Sequence, residues 1–116
     1  MKDRPYLLFL EDILSSIQKI EEYIGGMSLQ DFQGDSRTLD AVLRNLEIIG
    51  EAAKKVPPEI REGHPDIPWG RMISLRNIVS HEYFGVDLSI IWRIVTVNLP
   101  ETEPLIKDLI KSIDQD

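Results

Sequence analysis

Cysteine is absent from all 116 residues, so neither a disulfide framework nor a thiolate metal site is available. Histidine occurs only twice, at 64 and 81, far apart and in different contexts, which argues against a histidine-based metal centre. We expect no metal and no cofactor. No apolar run approaches the length of a membrane span, and the N-terminus lacks a signal-peptide pattern. The expected compartment is therefore a reduced cytoplasm, with no membrane partner. Strand alternation, internal repeats, a glycine-rich phosphate loop and low-complexity tracts are missing as well.

A surplus of positive charge is also lacking. The formal charge is −7, which argues against a general nucleic-acid binder, since such a protein is basic on at least one face. The distribution softens that objection. From Pro65 to Val95 the acids Asp66, Glu82 and Asp87 balance the bases Arg71, Arg76 and Arg93, so all of the net charge lies elsewhere.

What is present is helical periodicity. Pro5 suits a first helical turn, and Leu7, Leu10, Ile13, Leu14, Ile17, Ile20 and Ile24 then recur at three- and four-residue steps until Gly25-Gly26. Ser28 caps a short turn over Leu29 to Phe32, which Gly34 ends. Asp35 or Ser36 caps the next helix, whose apolar face is Leu39, Val42, Leu43, Leu46, Ile49, Ala53 and Val56. Asp40–Arg44 and Glu51–Lys55 are spaced as i,i+4 pairs on its other side. Gly50, Ala52 and Ala53 are small enough to admit a neighbouring helix. Glu47 and Glu51 stand one turn apart, and an arginine-paired or solvated face explains them better than a metal site does.

Val56-Pro57-Pro58 ends that helix, because the residue before a proline avoids the α region. Pro58 to Glu62 suits one turn, and the stretch from Gly63 to Pro68 reads as connector. Pro68 opens a helix that buries Trp69, Met72, Ile73, Leu75, Ile78 and Val79 and ends at Gly85. Asp87 caps the last region, which buries Leu88, Ile91, Trp92, Val95 and Leu99. Pro100 is expected to break or kink it before Leu105, Ile106, Leu109, Ile110 and Ile113 continue the stripe. The predicted fold is all-α: one domain over residues 1–116, a four-helix bundle with short extra helical turns.

The chemistry concentrates in Arg76-Asn77-Ile78-Val79-Ser80-His81-Glu82-Tyr83. Imidazole moves protons near neutral pH, and guanidinium presents a planar fork that fits a phosphate. Bare Arg-x4-His is a weak pattern: seven arginines and two histidines in 116 residues give about 0.1 such pairs by chance. A helix end where Arg and His favour the dipole is the competing structural reading. Spacing adds a constraint. Five residues of α-helix separate Arg76 and His81 by roughly 140° and about 7.5 Å of rise, so they do not share a face. Asn77 and His81 do. Bringing Arg76 and His81 to one phosphate requires a distortion near His81 or a second copy of the chain.

Arg-Asn-x3-His-x-Tyr, with Phe84-Gly85-Val86-Asp87-Leu88 after it, resembles the active-site motif of HEPN-domain ribonucleases, and more narrowly the HepT toxin family. The likeness extends to Tyr6–Leu14, Ala41–Ala53, Ile67-Pro68-Trp69 and Ile91–Val95. It implies a HEPN-type four-helix bundle and a metal-independent endoribonuclease. In that reading His81 is general base or acid, and Arg76 stabilises the phosphate. Asn77 orients a partner group, Tyr83 contacts RNA, and cleavage leaves a 2′,3′-cyclic phosphate. It also implies a homodimer that sets two motifs face to face, in a toxin–antitoxin pair. The antitoxin would be a nucleotidyltransferase of MntA type that transfers AMP to Tyr83. The alternative under the same resemblance is a non-catalytic HEPN subunit that binds a nucleotidyltransferase and recruits its substrate.

Overall fold

The computed structural model describes residues 5–114 except 82–86; of residues 78–81 and 114 it describes the backbone alone. Helix α1 runs from Pro5 to Ile24 and buries Leu10, Ile13, Ile17, Ile20 and Ile24 along one stripe. Gly26 follows with φ +80°, a left-handed conformation that glycine adopts without a Cβ penalty. Helix α2, Leu29–Gln33, begins with a reciprocal box: the Asp31 amide donates to Ser28 Oγ at 3.1 Å, and the Ser28 amide donates to Asp31 Oδ2 at 3.0 Å. Its purpose in the fold is Phe32, fully buried with its ring centroid 5.2 Å from that of Trp92.

Of the two candidate caps for helix α3, Ser36–Lys55, the structure uses Asp35. Its carboxylate accepts from the Thr38 amide at 3.0 Å and from the Thr38 hydroxyl at 2.8 Å. Those bonds hold its pKa below the ordinary carboxylate value. Val56 closes α3 in an extended conformation, ψ 129°, as the following proline demands. Helix α4, Pro58–Gly63, is the single turn the sequence suggested, and Arg61 Nε donates back to the Val56 carbonyl at 3.0 Å. Trp69 anchors the start of helix α5, Trp69–His81: it is buried, and its indole N–H donates to the His64 carbonyl at 3.0 Å.

Asp87 caps helix α6, Leu88–Arg93, accepting from the Ser89 hydroxyl at 2.6 Å and the Ser89 amide at 2.9 Å. A π-helical segment, Ile94–Asn98, then leads straight into helix α7, Leu99–Asp114. The break expected as one outcome at Pro100 is corrected here, because the chain stays helical from Leu88 to Asp114. Pro100 has no N–H to donate, and its ring opposes the carbonyl one turn back. Widening that turn by one residue, with the Leu99 amide donating to Ile94 O, absorbs both defects.

The long elements form four rods: α1, α3, α5 and the continuous α6–π–α7. α1 packs against α3 and α7, α3 also packs against α5, and α2 bridges α3 and α6. The fold is all-α, with no strand among the described residues. Fully burying each large aliphatic side chain of this core contributes about 1.5–3 kcal/mol, and Leu10, Ile13, Ile17, Leu46, Ile49 and Ile91 all reach 0% exposure.

The α1–α7 seam carries one electrostatic cost. Partial burial, then a hydrogen bond to Glu103 and repulsion from it, raises the Glu21 pKa above 4.5, while Lys107 opposes the shift. Lys107 Nζ lies 3.5 Å from Glu103 Oε2. A carboxyl whose folded pKa is raised favours the folded state when protonated. That contribution is complete below the ordinary Glu value and is lost as pH rises through the raised one. Glu21→Gln is therefore expected to raise the thermal unfolding midpoint at neutral pH. The gain over wild type should shrink as a pH series descends to the carboxylate range; a pH-independent difference would refute the assignment.

Candidate functional site

Arg76 lies where α5 approaches α3 closely, and Gly50 is the reason it can. A Cβ added at Gly50 would stand 2.9 Å from the Arg76 backbone nitrogen, 3.1 Å from Arg76 Cβ and 3.1 Å from the Met72 carbonyl oxygen. Only a bare Cα admits α5 so closely. Met72 and Leu75 turn inward from α5, while the Arg76 side chain stays 48% exposed.

The guanidinium faces the C-terminal half of α3, with Arg76 Nε 3.8 Å from Glu51 Oε1. The Glu51–Lys55 pair expected from spacing is thereby corrected: Glu51 turns to Arg76, and the Lys55 ammonium lies 5.7 Å from the Phe9 ring centroid. Arg44 pairs with Glu47 at 3.0 Å. Both glutamates of the one-turn pair are thus arginine-paired, as the sequence favoured. The Glu51–Arg76 contact joins two half-exposed groups, and such pairs contribute about 0–1 kcal/mol.

Beside Arg76 lies an open groove of about 470 Å³ lined by Glu51, Lys54, Lys55 and Arg76. On its other flank α5 faces the π segment and α7 across a separate cavity of about 250 Å³, whose walls include Met72, Leu75, Ile94 and Leu99. Among the described residues no group of His, Cys, Asp and Glu could hold a metal ion, and no helix is long and apolar enough to cross a membrane.

The family described as "Ribonuclease HepT-like" matches residues 13–109, which includes the whole of this site. This chain belongs to the HepT-like family. "Probable ribonuclease HepT" of Thermococcus cleftensis is 44% identical over 92 residues, covering 79% of this chain and 84% of the relative. A Caldanaerobacter subterraneus protein named "Putative RNase" is 41% identical over 108 residues, covering 93% and 94% of the two chains. A Methanocaldococcus jannaschii protein of the same name is 36% identical over 115 residues, covering 99% of each. No solved structure matches at a significant level.

Among the residues singled out in this HepT-like chain, Arg76 and Asn77 are exposed on α5. The backbone of His81 is the last residue of that helix, its side chain lies outside what is described, and Tyr83 falls in the undescribed stretch 82–86. The α-helix runs unbroken from Trp69 through His81, so the roughly 140° between Arg76 and His81 holds in the described backbone. Sequence reasoning missed Lys54 as a neighbour of Arg76 and gave Lys55 another partner. Its one available signal was Gly50, which marked where a second helix would arrive.

The Gly50 contact sets two effects against each other. Replacing an interior helical glycine by alanine adds about 1 kcal/mol of helix propensity. Forcing a methyl against backbone that is already at 2.9 Å costs about 1–3 kcal/mol, because the α5 backbone must move. Gly50→Ala is therefore expected to lower the urea midpoint despite the better helix former. A rise in that midpoint would show that α5 is free to yield.

Proposed function

We propose that this HepT-like protein is a metal-independent endoribonuclease acting as the toxin of a toxin–antitoxin pair. The observation that carries the reading is the half-exposed Arg76 guanidinium at the edge of a groove with two further cations. The names of the relatives, ribonuclease HepT and RNase, support its ribonuclease part.

In this mechanism His81 takes the proton of a ribose 2′-hydroxyl as that oxygen bonds to the adjacent phosphorus. The bond from phosphorus to the 5′-oxygen breaks, and the departing oxygen takes up a proton. The products are a 2′,3′-cyclic phosphate and a free 5′-hydroxyl. Arg76 binds the phosphate and stabilises the charge that grows on it. Asn77, one turn from His81, orients its partner group. DNA lacks the 2′-hydroxyl and is not cut.

The unbroken helix through His81 favours the second-copy solution: Arg76 of one protomer and His81 of the other act on one phosphate in an isologous dimer. Regulation follows at Tyr83. A nucleotidyltransferase antitoxin of MntA type transfers AMP from ATP to its hydroxyl and releases pyrophosphate. Nucleotide bulk and phosphate charge two residues from His81 then close the site to RNA.

Arg76→Ala and His81→Ala are each expected to abolish RNA cleavage without loss of helical circular dichroism, and EDTA should leave the wild type active. If the site is composite, mixing the two inactive proteins and allowing exchange should restore about a quarter of wild-type activity, one intact site in each mixed dimer. No recovery after verified exchange would confine the site to one chain.

The regulatory step is checked by Tyr83→Phe. Incubated with the antitoxin and ATP, the wild type should gain AMP on the Tyr83 peptide and lose activity. The variant should gain none there, keep partial catalysis and escape inhibition. AMP found on Tyr6 or Tyr23 would overturn the assignment.

A further inference from the structure

The groove beside Arg76 has a composition that the rest of the chain does not share. Among the described residues that line it, Lys54, Lys55 and Arg76 are cationic and Glu51 is anionic, on a protein whose formal charge is −7. Lys54 and Lys55 are both exposed in the last turn of α3, where they also face the negative end of the helix dipole. That end carries roughly half an elementary charge. The two lysines exceed that half charge by about one and a half. The lysines therefore do more than neutralise their own helix.

Their placement along α3 is equally specific. Gly50 marks where Arg76 crosses, and Lys54 follows one turn later on the same face, about 6 Å along the axis. Lys55 lines the same groove, with its ammonium 5.7 Å from the Phe9 ring centroid.

We propose that Lys54 and Lys55 form a phosphate-binding subsite that takes the backbone of single-stranded RNA next to the phosphate held by Arg76. The assignment rests on the ribonuclease reading above for its choice of nucleic acid. The interactions are with phosphate, so they give register and affinity without base preference. Glu51 sits on Arg76 when RNA is absent and gives way to the incoming phosphate.

The test is binding of a 2′-O-methylated oligoribonucleotide, which lacks the free 2′-hydroxyl that cleavage needs, measured by fluorescence anisotropy across a salt series. Wild type is compared with Lys54→Gln/Lys55→Gln and with Lys54→Arg/Lys55→Arg. The glutamine variant should bind more weakly, and its log–log salt slope should fall by roughly 0.7 for each phosphate that the lysines no longer neutralise. The arginine variant should restore both. Affinity and slope unchanged in a folded glutamine variant, as judged by circular dichroism, would overturn the subsite. So would equally tight binding of a polyglutamate peptide of matched charge. Cleavage of unmodified RNA by the wild type is scored separately. Lysine-dependent binding without any cleavage removes the ribonuclease reading and leaves the groove standing, while cleavage with lysine-independent binding removes the groove alone.

Discussion

The approach of α5 to α3 at Gly50 is the constraint on which the rest of the site depends. Two helices ordinarily pack with their axes about 8–10 Å apart, the distance being set by the side chains between them. Here the interposed side chain is a hydrogen, and the Arg76 backbone rests on α3 itself. The Arg76 backbone is thus placed by a backbone-to-backbone contact, and its guanidinium reaches Glu51. Any side chain at position 50 would move the cation relative to the groove before disturbing the hydrophobic core.

The fourth rod is built to a different requirement. It must run past Pro100 and still deliver Val95, Leu99, Ile106 and Leu109 to the core. A sharp break would have rotated the second half of that stripe away from α1. Inserting the π turn shifts the register by one residue and keeps the rod continuous. Thr102, buried in the first turn of α7, donates its hydroxyl to the Asn98 carbonyl at 2.9 Å, at the end of the widened segment. The widened turn lies opposite α5 across the 250 Å³ cavity, so α5 is held tightly on its α3 side and less completely on the other.

The parts of this fold legible in the sequence are those decided within a few residues. Ser28, Asp35 and Asp87 reach only their own first turns, so cap chemistry and spacing suffice to place them. The stripe on α1 needs no knowledge of its partner, because burial of that face is required whatever covers it. Pairings decided by a second helix are not legible. Glu51 has Lys55 at an ideal local spacing yet turns to Arg76, far along the chain, which Gly50 brings within reach. Pro100 departs from expectation for a related reason: packing on both sides favours a local backbone change over a break. Of the site, Arg76, Asn77, His81 and Tyr83 are legible only as a motif. The lysines beside Arg76 become visible once α3 and α5 are placed together.

A protein of charge −7 and an RNA substrate are compatible if attraction operates over short distances. At physiological ionic strength the screening length is about 8 Å, so acids beyond the groove repel a phosphate weakly while Lys54, Lys55 and Arg76 meet it directly. Long-range steering would then be poor and capture would depend on encounter at the groove itself, which leaves general RNA binding weak. The same arithmetic bears on the inhibition proposed through Tyr83, where an added phosphate would act on RNA at short range, as the acidic remainder of the surface does not.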